Sequence, residues 1–75
     1  MKQNIFKHIV AQPDVRFGKP VIEGTRVPVD LIVGKIAGGM TIEAVAAEYE
    51  LTREEVLATL QYAAKVLAEE EIAIA

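Results

Sequence analysis

The chain contains no cysteine, no tryptophan, no serine and only one histidine, His8. Without thiols there is no disulfide framework and no thiolate nucleophile, and one imidazole cannot build a zinc site. The aliphatic hydroxyls are the threonines Thr25, Thr41, Thr52 and Thr59. Two of these, Thr41 and Thr52, precede helical patterns and are better explained as N-caps. His8 lies among apolar neighbours on a predicted strand, so a general-base role is not expected. Gly34, Gly38 and Gly39 lack the strand–loop–helix order of a phosphate-binding loop. The sequence therefore predicts neither catalysis nor a cofactor. With two Phe and two Tyr, aromatics are also scarce, and a deep ligand pocket is not expected. No apolar run approaches 18 residues, and Met1 leads into Lys2, Gln3 and Asn4 rather than an apolar segment. The expected location is the cytoplasm.

What is present is a 75-residue chain, 52% apolar, built mainly from Ala, Val, Ile and Leu. A lone core of this size typically yields about 3 to 5 kcal/mol, and small domains add disulfides, a metal or a partner chain. With the first two missing, burial against a partner remains, and a homodimer is expected. The net charge of −3 hides an asymmetry. Residues 1–40 carry six basic groups (Lys2, Lys7, Arg16, Lys19, Arg26, Lys35) against three acidic ones, a net of +3. Residues 41–75 carry two basic groups (Arg53, Lys65) against eight acidic ones, a net of −6. Phosphate contacts follow clustered positive charge, so nucleic acid would be met by the first half. The second half suits a basic or apolar partner.

Asn4 to Val10 alternates loosely and predicts a strand, ended by Gln12-Pro13-Asp14. Val21-Ile22 and Arg26-Val27 flank Glu23-Gly24-Thr25, a hairpin signal within a β region spanning 4–28. Pro28 suits a helix start, with Asp30 near the positive end of the dipole. Helix one is predicted over about 29–38, with Leu31, Ile32 and Ile36 on one side and Gly38-Gly39 as its stop. Helix two, over 42–49, has Thr41 as N-cap, a Met40–Val45 staple and an apolar face of Ile42, Val45, Ala46 and Tyr49. Thr52-Arg53-Glu54-Glu55 is a capping box that opens helix three, over about 52–70. Its stripe is Val56, Leu60, Ala63 and Leu67, broadened by Leu57 and Ala64. The tail, residues 71–75, switches to a period of two and reads either as an edge strand or as a frayed end. The fold class expected is one domain over 1–75, mainly α: short N-terminal β-strands or a hairpin, then a three-helix helix-turn-helix bundle.

The Ile42 to Leu60 stretch has the offsets of a DNA-binding helix-turn-helix, with Ala46 at the close approach and Val56 ten residues on. The motif's turn usually has glycine where this chain has Glu50. The would-be reading helix presents Arg53, Glu54, Glu55, Ala58, Thr59, Gln61 and Tyr62, one cation against two carboxylates, a repulsive start near phosphates. A bundle using the same packing for stability alone is the alternative. For DNA, the candidates are Arg16, Lys19, Thr25 and Arg26 in the basic half and Arg53 at the helix start. Alternatively, Arg26 packs its stem on the hairpin and pairs with Glu23 or Asp30.

The string Gly18-Lys19-Pro20-Val21-Ile22-Glu23-Gly24-Thr25-Arg26-Val27-Pro28-Val29, followed by Gly39-Met40-Thr41-Ile42-Glu43 and Leu51-Thr52-Arg53-Glu54-Glu55-Val56, resembles the domain-of-unknown-function family 433. The resemblance covers roughly Ile9 to Ala64. It implies a homeodomain-like three-helix fold preceded by a β-hairpin. It also implies an antitoxin role similar to VapB-type antitoxins, with a PIN-like ribonuclease as the toxin. On this expectation the protein neutralises the toxin and represses its operon by binding operator DNA. The toxin-binding candidates are Glu69, Glu70 and Glu71 at the acidic end of helix three, with Ile72 and Ile74 adding a strand to a sheet edge. The competing expectation is an oligomeric interaction or scaffold module that does not bind DNA.

Overall fold

A computed structural model describes residues 1–73 of the chain. Three short strands, β1 (Gln3–Phe6), β2 (Ile9–Ala11) and β3 (Val21–Ile22), form an antiparallel sheet in the order β1-β2-β3. Three helices follow: α1 (Val29–Ala37), α2 (Ile42–Tyr49) and α3 (Arg53–Glu69). Among the described residues no helix is long and apolar enough to cross a membrane.

The single strand expected over Asn4 to Val10 is instead a hairpin. Phe6 pairs with Ile9, Asn4 with Val10, and Gln3 with Ala11, with a register irregularity between Asn4 and Phe6. The chain reverses at Lys7-His8, where His8 takes φ 66°. Neither residue is a turn former, so local propensity does not mark the site. The reversal is imposed by burial: Ile9 and Val10 are 0% and 1% exposed, paired with Ile22 and Val21 on β3. The second expected hairpin is only half there. The Ile22–Thr25 turn forms, with Gly24 at φ 80° and the Thr25 amide donating to the Ile22 carbonyl. The return strand reduces to one bridge, Val21 to Pro28, closed by bonds from the Ile22 amide to the Val27 carbonyl and from the Val29 amide to the Pro20 carbonyl.

The helices start and stop where capping chemistry places them. In α1, Gly39 at φ 112° donates to the Ile36 carbonyl while the Met40 amide donates to the Lys35 carbonyl, a complete Schellman close. In α2, the Thr41 hydroxyl accepts from the Ala44 amide at 3.0 Å. The capping box of α3 forms in both directions, the Glu55 amide to Thr52 Oγ1 at 3.1 Å and the Thr52 amide to Glu55 Oε1 at 2.9 Å. Between α2 and α3, Glu50 takes the left-handed conformation (φ 56°, ψ 47°), and the Leu51 amide reaches back to the Ala46 carbonyl at 2.8 Å. Glu50 thus adopts the backbone conformation that the commoner glycine would adopt without a Cβ penalty.

The core is Ile9, Ile22, Val29, Ile32, Val45, Leu51, Val56 and Ala58, with Tyr49, Met40 and Ile36 packed on it. Thus α1 turns Val29, Ile32 and Ile36 inward, and Leu31, expected on that face, is 38% exposed. On α3 the buried side differs from the expected stripe: Val56, Ala58 and Thr59 are inside, while Leu67 is 67% exposed. Thr59 is tolerated there because its hydroxyl donates to the Val56 carbonyl at 2.7 Å. Residues 71–73 carry no regular structure, so of the two readings of the tail the described part forms no edge strand, and residues 74–75 lie outside the described residues.

Candidate interaction surface

Two surfaces were expected, a basic one around residues 16–26 and 53 and an acidic one at the end of α3. In the basic set, Arg16 is exposed on a short 3-10 turn (Arg16–Gly18), with φ 51°. Lys19 Nζ pairs with Asp30 at 2.8 Å, and its hydrogen bond holds the Asp30 carboxyl below the usual carboxylate range. The Thr25 hydroxyl is spent inside its own turn, donating to the Ile22 carbonyl at 2.7 Å and accepting from the Val27 amide at 3.0 Å. It has no further proton for a phosphate. Arg53 pairs with Glu43 across the α2–α3 junction. Arg26 is exposed and, among the described residues, has no carboxylate within salt-bridge distance. The partners considered for it are taken: Glu23 by Lys2 at 2.8 Å, which lowers the Glu23 carboxyl, and Asp30 by Lys19. Arg16, Arg26, Lys7 and Lys35 are therefore the cations without an ion pair among the described residues.

The expected reading face of α3 is largely closed. Ala58 and Thr59 are 1% and 0% exposed, and the Tyr62 ring packs on Phe6 of β1 with centroids 5.7 Å apart. The sheet crosses α3 on the side that a groove-reading helix would offer to bases. Only Arg53, Glu54 and Gln61 remain exposed there.

The acidic set stays together and outside the body. Glu69 pairs with Lys65 at 3.2 Å, an i,i+4 contact worth a few tenths of a kcal/mol. Glu70, Glu71 and Ile72 are exposed beyond the helix end, Ile72 at 76%. Ile74 lies outside the described residues.

Sequence reasoning missed an apolar groove of about 420 Å³ between α1 and the second half of α3. Its walls are Pro20, Val29, Val33, Tyr62, Val66 and Leu67, with Gly34 and Ala63 as the small residues between them and the Lys19–Asp30 pair at its rim. It also missed Phe17, whose side chain is fully exposed. Arg16, Phe17 and Gly18 are three consecutive left-handed residues, held by bonds from the Gly18 and Lys19 amides to the Val15 and Arg16 carbonyls. For a non-glycine residue this conformation costs about 1 kcal/mol or more. The available signal was a lone aromatic between Arg16 and Gly18 in an otherwise polar connection.

The family model "Protein of unknown function (DUF433)" matches residues 9–63, from the start of β2 into α3. The chain belongs to the DUF433 family. The matched region takes in most of the groove and stops before Val66 and Leu67. Among curated proteins no relative matches. A solved structure from Mycobacterium tuberculosis, Rv2018, is similar with 33% identity and a TM-score of 0.64 over 69% of this chain. The chain spans about a quarter of that protein's length, 24%.

Proposed function

We propose that this DUF433 chain is a protein-binding module of antitoxin type, without enzymatic activity, that works as a homodimer and neutralises a basic partner such as a PIN-like nuclease. The observation that carries this reading is the second half of α3. From Ala64 onward every described residue is exposed, so the helix continues past the core that supports it. It carries apolar Val66 and Leu67 next to Glu69, Glu70 and Glu71. A nuclease must present basic surface to its RNA, and an acidic, partly apolar helix end complements such a surface and speeds encounter. The expected result of co-expression with the adjacent reading frame is a complex that co-purifies. Truncation after Glu70 should weaken it, and undiminished binding would remove the tail from the mechanism.

A second reading, contact with operator DNA, draws on the α2–α3 junction. The left-handed turn at Glu50 supports describing 42–60 as a helix-turn-helix. In this reading the duplex is held mainly by Arg16 and Arg26, because Lys19 and Arg53 are paired and Ala58 and Thr59 are covered. Binding of a duplex from its own promoter at two salt concentrations is the test. Affinity equal to that for random duplex at both salts would exclude operator recognition.

A further inference from the structure

The fully exposed Phe17 and the empty apolar groove belong to one stretch of chain. The groove's wall begins at Lys19 and Pro20, two residues after Phe17. We propose that the occupant of the groove is a second copy of this chain, each protomer seating Phe17 between α1 and α3 of the other. The inference rests on the homodimer reading and names its face; that face shares Val66, Leu67, Glu69 and Glu70 with the surface proposed for the basic partner, so the dimer is the free form and the partner displaces the second copy from α3.

Three observations select a second copy over another partner. A two-fold interface uses one patch on both chains, so it must contain both a projection and the hollow that receives it. Phe17 and the groove supply that pair within a few residues of each other. The projection is also rigid for a loop, since its backbone is pinned by the Val15 and Arg16 carbonyls and by the Gln12–Val15 bridge. A preordered aromatic loses little freedom on docking. The third is charge. The projection carries Arg16, exposed and without an ion pair among the described residues, whereas the α3 wall runs from Val66 and Leu67 into Glu69, which is shared with Lys65, and Glu70, which has no ion pair among the described residues. A two-fold brings the basic loop to the acidic wall twice, and the +3 and −6 halves of the chain make the same match on a larger scale.

The groove floor fits this occupant. A Cβ placed on Gly34 would meet no atom within 4 Å, so the glycine is not needed for packing within the protomer. The open floor leaves room for a ring. Glycine mid-helix is otherwise a weakness in α1.

The test is the mass of the full-length chain by sedimentation across micromolar concentrations, with melting followed in parallel. The wild type is expected to be a dimer, and Phe17→Ala should raise the dimer dissociation constant by about a thousand-fold, since each dimer loses two interface anchors. Gly34→Leu should block the groove and likewise give monomer, while the dilute protomer melts no lower than wild type. The decisive pair is Arg16→Glu and the double change Glu69→Arg with Glu70→Arg. Each alone should be monomeric, and mixing them should restore a heterodimer. A wild type that is monomeric throughout would overturn both the homodimer and its face. A wild type that dimerises while Phe17→Ala dimerises equally would overturn the face alone. Loss in Phe17→Ala of binding to a single-stranded oligonucleotide, with its mass unchanged, would overturn the proposal in favour of base stacking.

Discussion

The two ends of α3 obey different rules. Its first ten residues are capped in both directions, bury Val56, Ala58 and Thr59, and are crossed by α1, α2 and the sheet. Its last six are exposed, end without a side-chain cap, and place Glu69 and Glu70 where the helix dipole disfavours negative charge. The same helix is thus structural at one end and unsupported at the other. A helix that runs on beyond its core, against its own dipole, adds little to the stability of the fold, and that is the ground on which a partner is proposed for it.

That contrast predicts a gradient of mutational cost. The largest effect should come from the body: Ile32→Ala removes a fully buried side chain and should cost about 2 to 5 kcal/mol, comparable to the whole stability of so small a domain. Circular dichroism of the variant should show an unfolded or barely folded chain. Next, Thr52→Ala removes half of the capping box and should cost about 1 kcal/mol in denaturant unfolding. Glu50→Gly should go the other way, stabilising by about 0.5 to 1 kcal/mol, because glycine takes φ 56° without the Cβ penalty. At the unsupported end, Leu67→Ala should change protomer stability by less than about 0.5 kcal/mol in dilute solution. A cost there like that of Ile32→Ala would erase the contrast.

The smallest effect is electrostatic. Lys2 lowers the Glu23 carboxyl and Lys19 lowers that of Asp30, so each pair contributes stability above the unfolded carboxylate pKa. That contribution is lost as pH falls below about 4, through the lowered folded values. Both pairs are exposed, so screening keeps the loss small. An acid titration of melting temperature for Lys2→Met with Lys19→Met should be only slightly flatter than for the wild type.

Much of the fold is legible from the residues, in a particular order of ease. All three helices, Thr41, the capping box and the Gly39 close could be read because each is decided by a few neighbours in sequence. The Lys7-His8 reversal could not, since it is set by Ile9 and Val10 pairing with Val21 and Ile22 from another part of the chain. Thr59 lies on the Val56–Ala63 face by helical spacing, but its polarity argues for the surface until its bond to the Val56 carbonyl is seen. The same limit applies to the candidate site. The cations are visible in the sequence, whereas which of them are already paired, as Lys19 and Arg53 are, depends on tertiary neighbours. The groove was hidden because its walls come from three separate stretches, and Val66 and Leu67 look like ordinary core residues.

The most direct test of the view that α3 changes role along its length is amide hydrogen exchange of the full chain at low and high protein concentration. Protection at Val56 to Tyr62 should track global unfolding at both concentrations. Protection at Val66 to Glu69 should be low in the dilute chain and rise as protomers associate. Equal protection along the whole of α3, unchanged by concentration, would contradict it.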